Sequence, residues 1–535
     1  MTNPVFNGKA LTLKQKVGQL VMAGFNGLEA SDDARKLITE DHVGGIIYFR
    51  RNLAEPAQVA KLSAELQQIA AESDNVPLLI SIDQEGGMVT RLENGVTVVP
   101  GNMALGAAGD AELAYEAAHI IGSELRALGI NMNFAPSLDI NNNPGNPVIG
   151  VRSYGGTAEL VARLGTEAVR GFQDAGVAAT VKHFPGHGDT GEDSHHALPT
   201  VPHARERLDR LELAPFREAI ARGVDAVMTA HVLFPAVEPE KLPATLSSNV
   251  IEGLLRGELG YDGVVVTDCL EMNAISKFYG VGEGAVQAVE AGADLILVSH
   301  RYERQKAALD ALLAAVESGR ISEERIDRSV GRLLALKQRR AVDAGAAVTL
   351  SSGDTLVTDE KTELVERISE KSITLLRSEG EFTLDKTKPV LVVWPEVRVG
   401  SEVDEVLPRK ETLGYWLKSA GYDVNEQTIG VQPTEEEVAH IQELSGQISQ
   451  VVVVSYNAIF SPDQAALIEA LAAKPDVQLI VASARNPFDI NALPTVKTFF
   501  AAYENTPSAM RALALVLTGQ IAVQGTLPAP LTVTV

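Results

Sequence analysis

Eight short apolar runs recur in the first 300 residues of this 535-residue chain, and they restrict its fold more than any other feature. They fall at residues 19–25, 43–49, 77–83, 131–135, 178–184, 225–232, 263–268 and 294–298. Most are near-continuous rather than alternating, as expected of strands covered on both faces. The segments between them, 56–73 and 111–128 for example, carry Ala, Leu, Glu and Arg at helical spacing. Repeated strand–helix units imply a parallel sheet. Eight of them suggest a closed (β/α)8 barrel of the TIM type rather than an open sheet.

Beyond the eighth run, 321–340 reads as a basic amphipathic helix, the last of the barrel. Residues 341–354, rich in Ala, Gly and Ser, read as the start of a linker, and 358–376 as helical. A second α/β pattern follows, with strands at 389–394, 451–455, 478–482 and 498–503 and helices at 435–444 and 463–473. The expected fold class is therefore α/β: a catalytic barrel over 1–341, a linker and connecting helix over 342–372, and a smaller layered α/β sandwich domain over 373–535. The length suits two domains better than one core.

The formal net charge of -24 argues against nucleic acid as a partner and against an anionic membrane surface, because like charges repel. Its plainest consequence is solubility. A single cysteine, Cys269, excludes an intramolecular disulfide. The first ten residues lack a basic region followed by an apolar core, and no apolar run reaches the ~18 residues of a membrane span. The expectation is a cytoplasmic protein.

Polar groups gather at the ends of the apolar runs: Asp83, Asp139, Lys182 with His183, His231, Asp268, and Ser299 with His300. Barrel active sites are built at the C-terminal ends of the strands. Singly, several of these residues read equally well as helix caps or loop partners; as a set they do not. The densest chemistry is Lys182-His-Phe-Pro-Gly-His-Gly-Asp-Thr-Gly-Glu-Asp-Ser-His-His196, with four of the chain's ten His and three carboxylates. Within it, Asp193 can orient and polarise the His195 ring if the loop bends around Ser194. Asp268 closes the run Val264-Val-Val-Thr267, where a rigid ionised carboxylate suits a nucleophile. A helix N-cap over 270–276 is an equal reading on position alone. Asp83, with two Gly downstream, is placed to take hydrogen bonds from sugar hydroxyls, and Arg91 and Arg152 can add donor forks. For each arginine alone, a surface salt bridge is the commoner role.

Metal chemistry has weak support. There is no His-Glu-x-x-His and no Cys-rich site, and Lys182 would oppose a cation gathered by His183, His187 and His195. No Gly-x-Ser-x-Gly elbow supports acyl chemistry. No cofactor is expected.

With these segments assembled, the chain resembles family 3 glycoside hydrolases, in the bacterial β-N-acetylglucosaminidase branch. The matching segments are Asp83-Gln-Glu-Gly-Gly87, Gly150-Val-Arg-Ser-Tyr154, Lys182-His-Phe-Pro-Gly-His-Gly188 through Asp193-Ser-His195, and Val266-Thr-Asp268. The resemblance implies that Asp268 is the nucleophile of a retaining mechanism and that His195 is acid then base, with Asp193 as its partner. It implies that Asp83, Arg91, Arg152, Lys182 and His183 hold the sugar, a terminal β-linked N-acetylglucosamine of cell-wall or chitin-derived fragments. Met88 departs from the basic residue usual after Gly-Gly in such relatives. A neutral imidazole repels an incoming anion less than a carboxylate does, so inorganic phosphate as acceptor in place of water is an alternative outcome. A non-catalytic sugar-binding barrel is the alternative from another class; it would be expected to have lost Asp268 or the Asp193/His195 pair, which are present.

Overall fold

The computed structural model describes residues 5–6, 9–191, 198–342, 350–398 and 409–532. All eight expected strands form within the eight apolar runs: β1 (Val21–Ala23), β2 (Gly45–Tyr48), β3 (Leu79–Ile82), β4 (Met132–Asn133), β5 (Ala178–Phe184), β6 (Ala226–Thr229), β7 (Val264–Thr267) and β8 (Ile296–Val298). They pair in parallel in the order β8-β1-β2-β3-β4-β5-β6-β7. A parallel bridge between Val266 and Leu295 closes the ring. The Thr267 amide donates to the Leu295 carbonyl at 2.9 Å, and the Leu297 amide to Thr267 Oγ1 at 3.0 Å.

Every residue of β7, Val-Val-Val-Thr, is buried. That is why its sequence is a continuous apolar run rather than an alternation. Some barrel helices start on side-chain caps. Thr157 Oγ1 accepts from the Leu160 amide ahead of Ala158–Asp174, and Ser322 does the same for Glu323–Arg339. That last barrel helix packs beside the first, Leu13–Gln19, and the buried Lys16 ammonium joins them by pairing with Glu323 at 2.8 Å and Asp327 at 2.7 Å.

The second sheet has six strands: β9 (Thr374–Ser378), β10 (Val390–Glu396), β11 (Val424–Gly430), β12 (Gln450–Ser455), β13 (Gln478–Ser483) and β14 (Thr498–Ala501). Their spatial order is β9-β14-β13-β12-β10-β11, parallel except for β9. Alternate residues go to opposite faces. Val390, Val392 and Trp394 enter one apolar cluster with the helix Pro507–Leu517, while Leu391 and Val393 enter another with Pro462–Ala472. β9 and β11 are absent from the sequence expectation. The helix expected over 358–376 is shorter: it spans Asp359–Ser372, and the chain from Thr374 is strand. The isolated apolar residues 373–376 continue the helical spacing, but antiparallel pairing with β14 claims them.

Among the described residues no helix is long and apolar enough to cross a membrane. The two sheets' domains touch through specific groups. Glu504 accepts from the Gly101 amide at 2.8 Å, and Arg409 pairs with Glu93 at 2.9 Å. Gly87 has φ 55°, and a Cβ there would stand 2.6 Å from Glu504 Oε2, so this approach of the domains needs glycine.

Candidate active site

The C-terminal ends of the barrel strands surround a cavity of about 460 Å³. Asp83, Arg91, Arg152, Lys182, His183 and Asp268 all line it. The six described residues of the eight expected for the site are thus brought to one place. Asp193 and His195 lie outside the described residues.

Asp268 follows β7 directly. The Cys269 amide donates to its Oδ1 at 2.7 Å, which fixes the carboxylate at the cavity wall. The helix-cap alternative does not apply: the next helix is Asn273–Ser276, and its N-cap is Met272.

The same cavity is lined by a buried ionic cluster. Lys182 Nζ donates to Asp83 Oδ1 at 2.7 Å and pairs with Glu85 Oε1 at 2.6 Å. Arg152 forks onto the same Glu85 carboxylate, Nη2 to Oε1 at 2.8 Å and Nε to Oε2 at 3.1 Å. The Arg152 and Glu85 side chains are 9% and 2% exposed, so this is no surface salt bridge. Burial alone would raise the Glu85 pKa, but Arg152 and Lys182 outweigh it and hold the carboxyl well below its ordinary range. Burial would likewise lower the Arg152 pKa, and Glu85 overrides it upward. The cluster therefore presents fixed charges to whatever enters the cavity.

The loop after β3 is stapled by Gln84. Its Nε2 donates to the Leu92 carbonyl at 2.8 Å, and its Oε1 accepts from the Arg91 amide at 2.8 Å. This folds residues 84–92 back on themselves and brings Arg91 to the cavity.

Asp139, fully buried, organises the chain after β5. Its Oδ2 lies 2.6 Å from His183 Nδ1, and it accepts from the backbone amides of His183 and His187. Burial would raise its pKa, but His183 and these donors bring it down to about 2. Burial and the neighbouring His183 push the His187 imidazole down to about 4, so His187 is neutral at pH 7. The chain over 141–150 grips the same segment. Asn146 Nδ2 donates to the carbonyls of His187 and Gly188 at 2.9 and 3.0 Å. A Cβ on Gly188 would overlap the Ile140 carbonyl at 1.8 Å. On the way to Asp193 and His195, Asp189 pairs with Arg207 at 2.7 Å and with His203. On the far side, the Val201 amide donates to the Leu233 carbonyl at 2.9 Å. Both roots of the segment 192–197 are thus anchored to the barrel.

Glu85 and Asp139 are the principal residues that sequence reading left without a role in this site. Glu85 sat inside the Asp83-Gln-Glu-Gly-Gly87 segment, and a carboxylate two positions after a strand-end Asp was the available signal. On the remaining wall, Cys269, Glu271 and His300 bring three donor atoms within 4.8 Å of one another. Arg51 Nη1 lies 3.2 Å from His300 Nδ1, and burial pushes the Cys269 thiol up to about 12. A cation is opposed there by charge and by the protonated thiol.

The sequence profile described as "Glycosyl hydrolase family 3 N terminal domain" matches residues 12–336. The chain is 36% identical over 429 residues to "Beta-hexosaminidase A" of Pseudoalteromonas piscicida, covering 72% of this chain and 71% of that one. It is 40% identical over 288 residues to the "Beta-hexosaminidase" of Xylella fastidiosa strain M23, covering 52% of this chain and 83% of that one. Among solved structures, a fungal multi-domain GH3 beta-N-acetylglucosaminidase superposes with a TM-score of 0.88 at 34% identity. That match takes in 97% of this chain and spans 61% of the fungal one.

Proposed function

The chain belongs to glycosyl hydrolase family 3, and from that premise we propose that it is a retaining exo-β-N-acetylglucosaminidase that removes terminal β-linked N-acetylglucosamine from cell-wall or chitin-derived fragments. The observation that carries this reading is the fixed Asp268 carboxylate lining the same cavity as the Asp83–Lys182–Glu85–Arg152 cluster. The sugar's hydroxyls bind that charged wall. Asp268 attacks the anomeric carbon while His195, oriented by Asp193, protonates the departing oxygen. The bond to the leaving group breaks and an ester to Asp268 forms. His195, now neutral, takes a proton from water as the water attacks the anomeric carbon and frees Asp268. Relatives named β-hexosaminidase, and the fungal β-N-acetylglucosaminidase, support the N-acetylated sugar as substrate.

One observation favours a second reading. Besides Arg152, three further guanidinium groups, Arg50, Arg51 and Arg91, line the same cavity, and Arg forks suit phosphate. Inorganic phosphate as acceptor in the second step would yield a sugar 1-phosphate. A release assay with a chromogenic N-acetyl-β-glucosaminide, run with and without phosphate, tests both. Free N-acetylglucosamine in either buffer supports hydrolysis, and sugar 1-phosphate as the main product supports phosphorolysis. No turnover in either would overturn both in favour of a sugar-binding protein.

A further inference from the structure

A second cavity, of about 420 Å³, lies in the second domain. Trp394 and Glu396 on β10, Thr428 on β11 and Tyr456 just after β12 line it. β10 and β12 are neighbours in the sheet, yet the chain leaves β10 toward β11 and leaves β12 the other way, toward β13 and β14. The cavity therefore sits outside the carboxyl ends of parallel strands at the point where the strand order reverses. Open α/β sheets bind ligands at that crevice.

The lining groups state what would bind. Tyr415, 45% exposed, offers aromatic surface, which suits the apolar face of a sugar ring, while the buried Trp394 lies beneath the cavity wall. Arg409 pairs with Glu93 and Glu396 with Arg398, whereas Glu426 accepts from Thr412 Oγ1 at 3.0 Å and has no ion pair among the described residues, which leaves one carboxylate against two lysines. Lys410 and Lys418 also line the cavity, and among the described residues neither has an ion pair. Two uncommitted ammonium groups beside aromatic surface, on a chain of net charge -24, mark a local site for an anion.

We propose that this cavity binds an acidic saccharide, a sugar carrying a carboxylate or phosphate. Its wall also neighbours that of the catalytic cavity along the chain. Met88 of the barrel lines the second cavity while the next residue, Val89, lines the first, and Arg409 ties the second domain to Glu93 on the same loop as Arg91. The ligand is either the leaving-group end of a long substrate or a separate small molecule.

Both tryptophans of the chain, Trp394 and Trp416, lie in the second domain and Trp394 lines this cavity, so tryptophan fluorescence reports the second domain and not the catalytic cavity. The full-length protein is titrated with glucuronic acid and glucose 6-phosphate, with glucose as the neutral control. A saturable response to an acidic sugar that weakens about tenfold or more in the Lys410→Ala/Lys418→Ala variant is expected. Absence of any response to either acidic sugar, or an equal response in the variant, would overturn the proposal. Binding is read here without turnover, so it fails separately from the glycosidase reading. Turnover then distinguishes the source. If the acidic sugar alters kcat/KM on a short chromogenic substrate, the ligand is a free effector. If the double variant loses kcat/KM only on substrates with an acidic leaving group, the cavity holds that group.

Discussion

Lys182 Nζ lies 2.6 Å from Glu85 Oε1, with both side chains 2% exposed. A buried ammonium and carboxylate in contact are stable only as a pair, and Arg152 completes the compensation from the other side of Glu85. Removing the carboxylate leaves two cations buried together. Glu85→Gln is expected to destabilise the barrel by about 3–5 kcal/mol at pH 7 and to raise KM. The sign with pH is definite. Glu85 has a folded pKa depressed below its ordinary 4.5, so its stabilisation is full above 4.5 and declines as pH falls toward the folded value. From 4.5 to pH 3 the wild type should lose about 2 kcal/mol of its advantage over Glu85→Gln. Urea unfolding of both proteins at pH 7 and pH 3 measures the gap, and a constant gap would count against a depressed Glu85.

Asp268→Ala should reduce kcat by a factor on the order of 10⁴ or more, the scale seen when a covalent catalyst loses its nucleophile or base. Asp268 lines the cavity rather than the hydrophobic core, so the circular dichroism spectrum and melting temperature should change little. Mass spectrometry after soaking the wild type with a slow fluorinated sugar should place the adduct on Asp268. An adduct elsewhere refutes the assignment.

His195→Ala should separate leaving groups. Substrates with poor leaving groups need a proton and should slow by about 10²–10⁴-fold, whereas activated aryl glycosides should slow much less. Equal losses across a leaving-group series would remove His195 from the acid role.

The barrel was legible because a parallel strand buried on both faces leaves a near-continuous apolar run, and most of β1 to β8 left one. Asp83, Lys182, His183 and Asp268 were legible because they sit at the ends of those runs, where a barrel places its chemistry. Glu85 and Asp139 were not assigned, since their partners come from other barrel loops: Arg152 is 67 residues away from Glu85, and His183 is 44 from Asp139. Their position near strand ends was visible, but the partners that give them a role are distant in sequence. β9 and β11 escaped notice for a different reason. Both are edge strands, and Arg377, Asn425, Glu426 and Gln427 break the apolar pattern that a central strand must keep.

Asp139→Asn should disturb the segment after β5 without touching Asp268. The carboxylate takes two backbone amides and the His183 ring, and an amide oxygen is a weaker acceptor that carries no charge. The expected result is a KM raised about tenfold and a stability loss of about 1.5–3 kcal/mol, the scale of a charge-assisted hydrogen bond. Inhibition constants for N-acetylglucosamine should weaken in parallel with KM. A lower kcat with unchanged binding would contradict a positioning role for Asp139.

Lys337 offers a test at the opposite end of the pH range. It is 5% exposed on the last barrel helix, and its Nζ donates to Gln19 Oε1 at 2.7 Å, a neutral partner. Burial brings its pKa down to about 7 from 10.5. The unfolded chain therefore binds more protons than the folded one between those values, and stability rises with pH across that window. Relative to Lys337→Met, whose side chain does not titrate, the wild type should gain about 1.4 kcal/mol per pH unit from pH 7 upward, levelling off near 10.5. Below pH 7 both states hold the proton and the difference between the two proteins should be flat. Unfolding curves at pH 6, 7, 8.5 and 10 resolve the shape, and a difference independent of pH throughout would mean that Lys337 keeps its ordinary pKa in the folded protein.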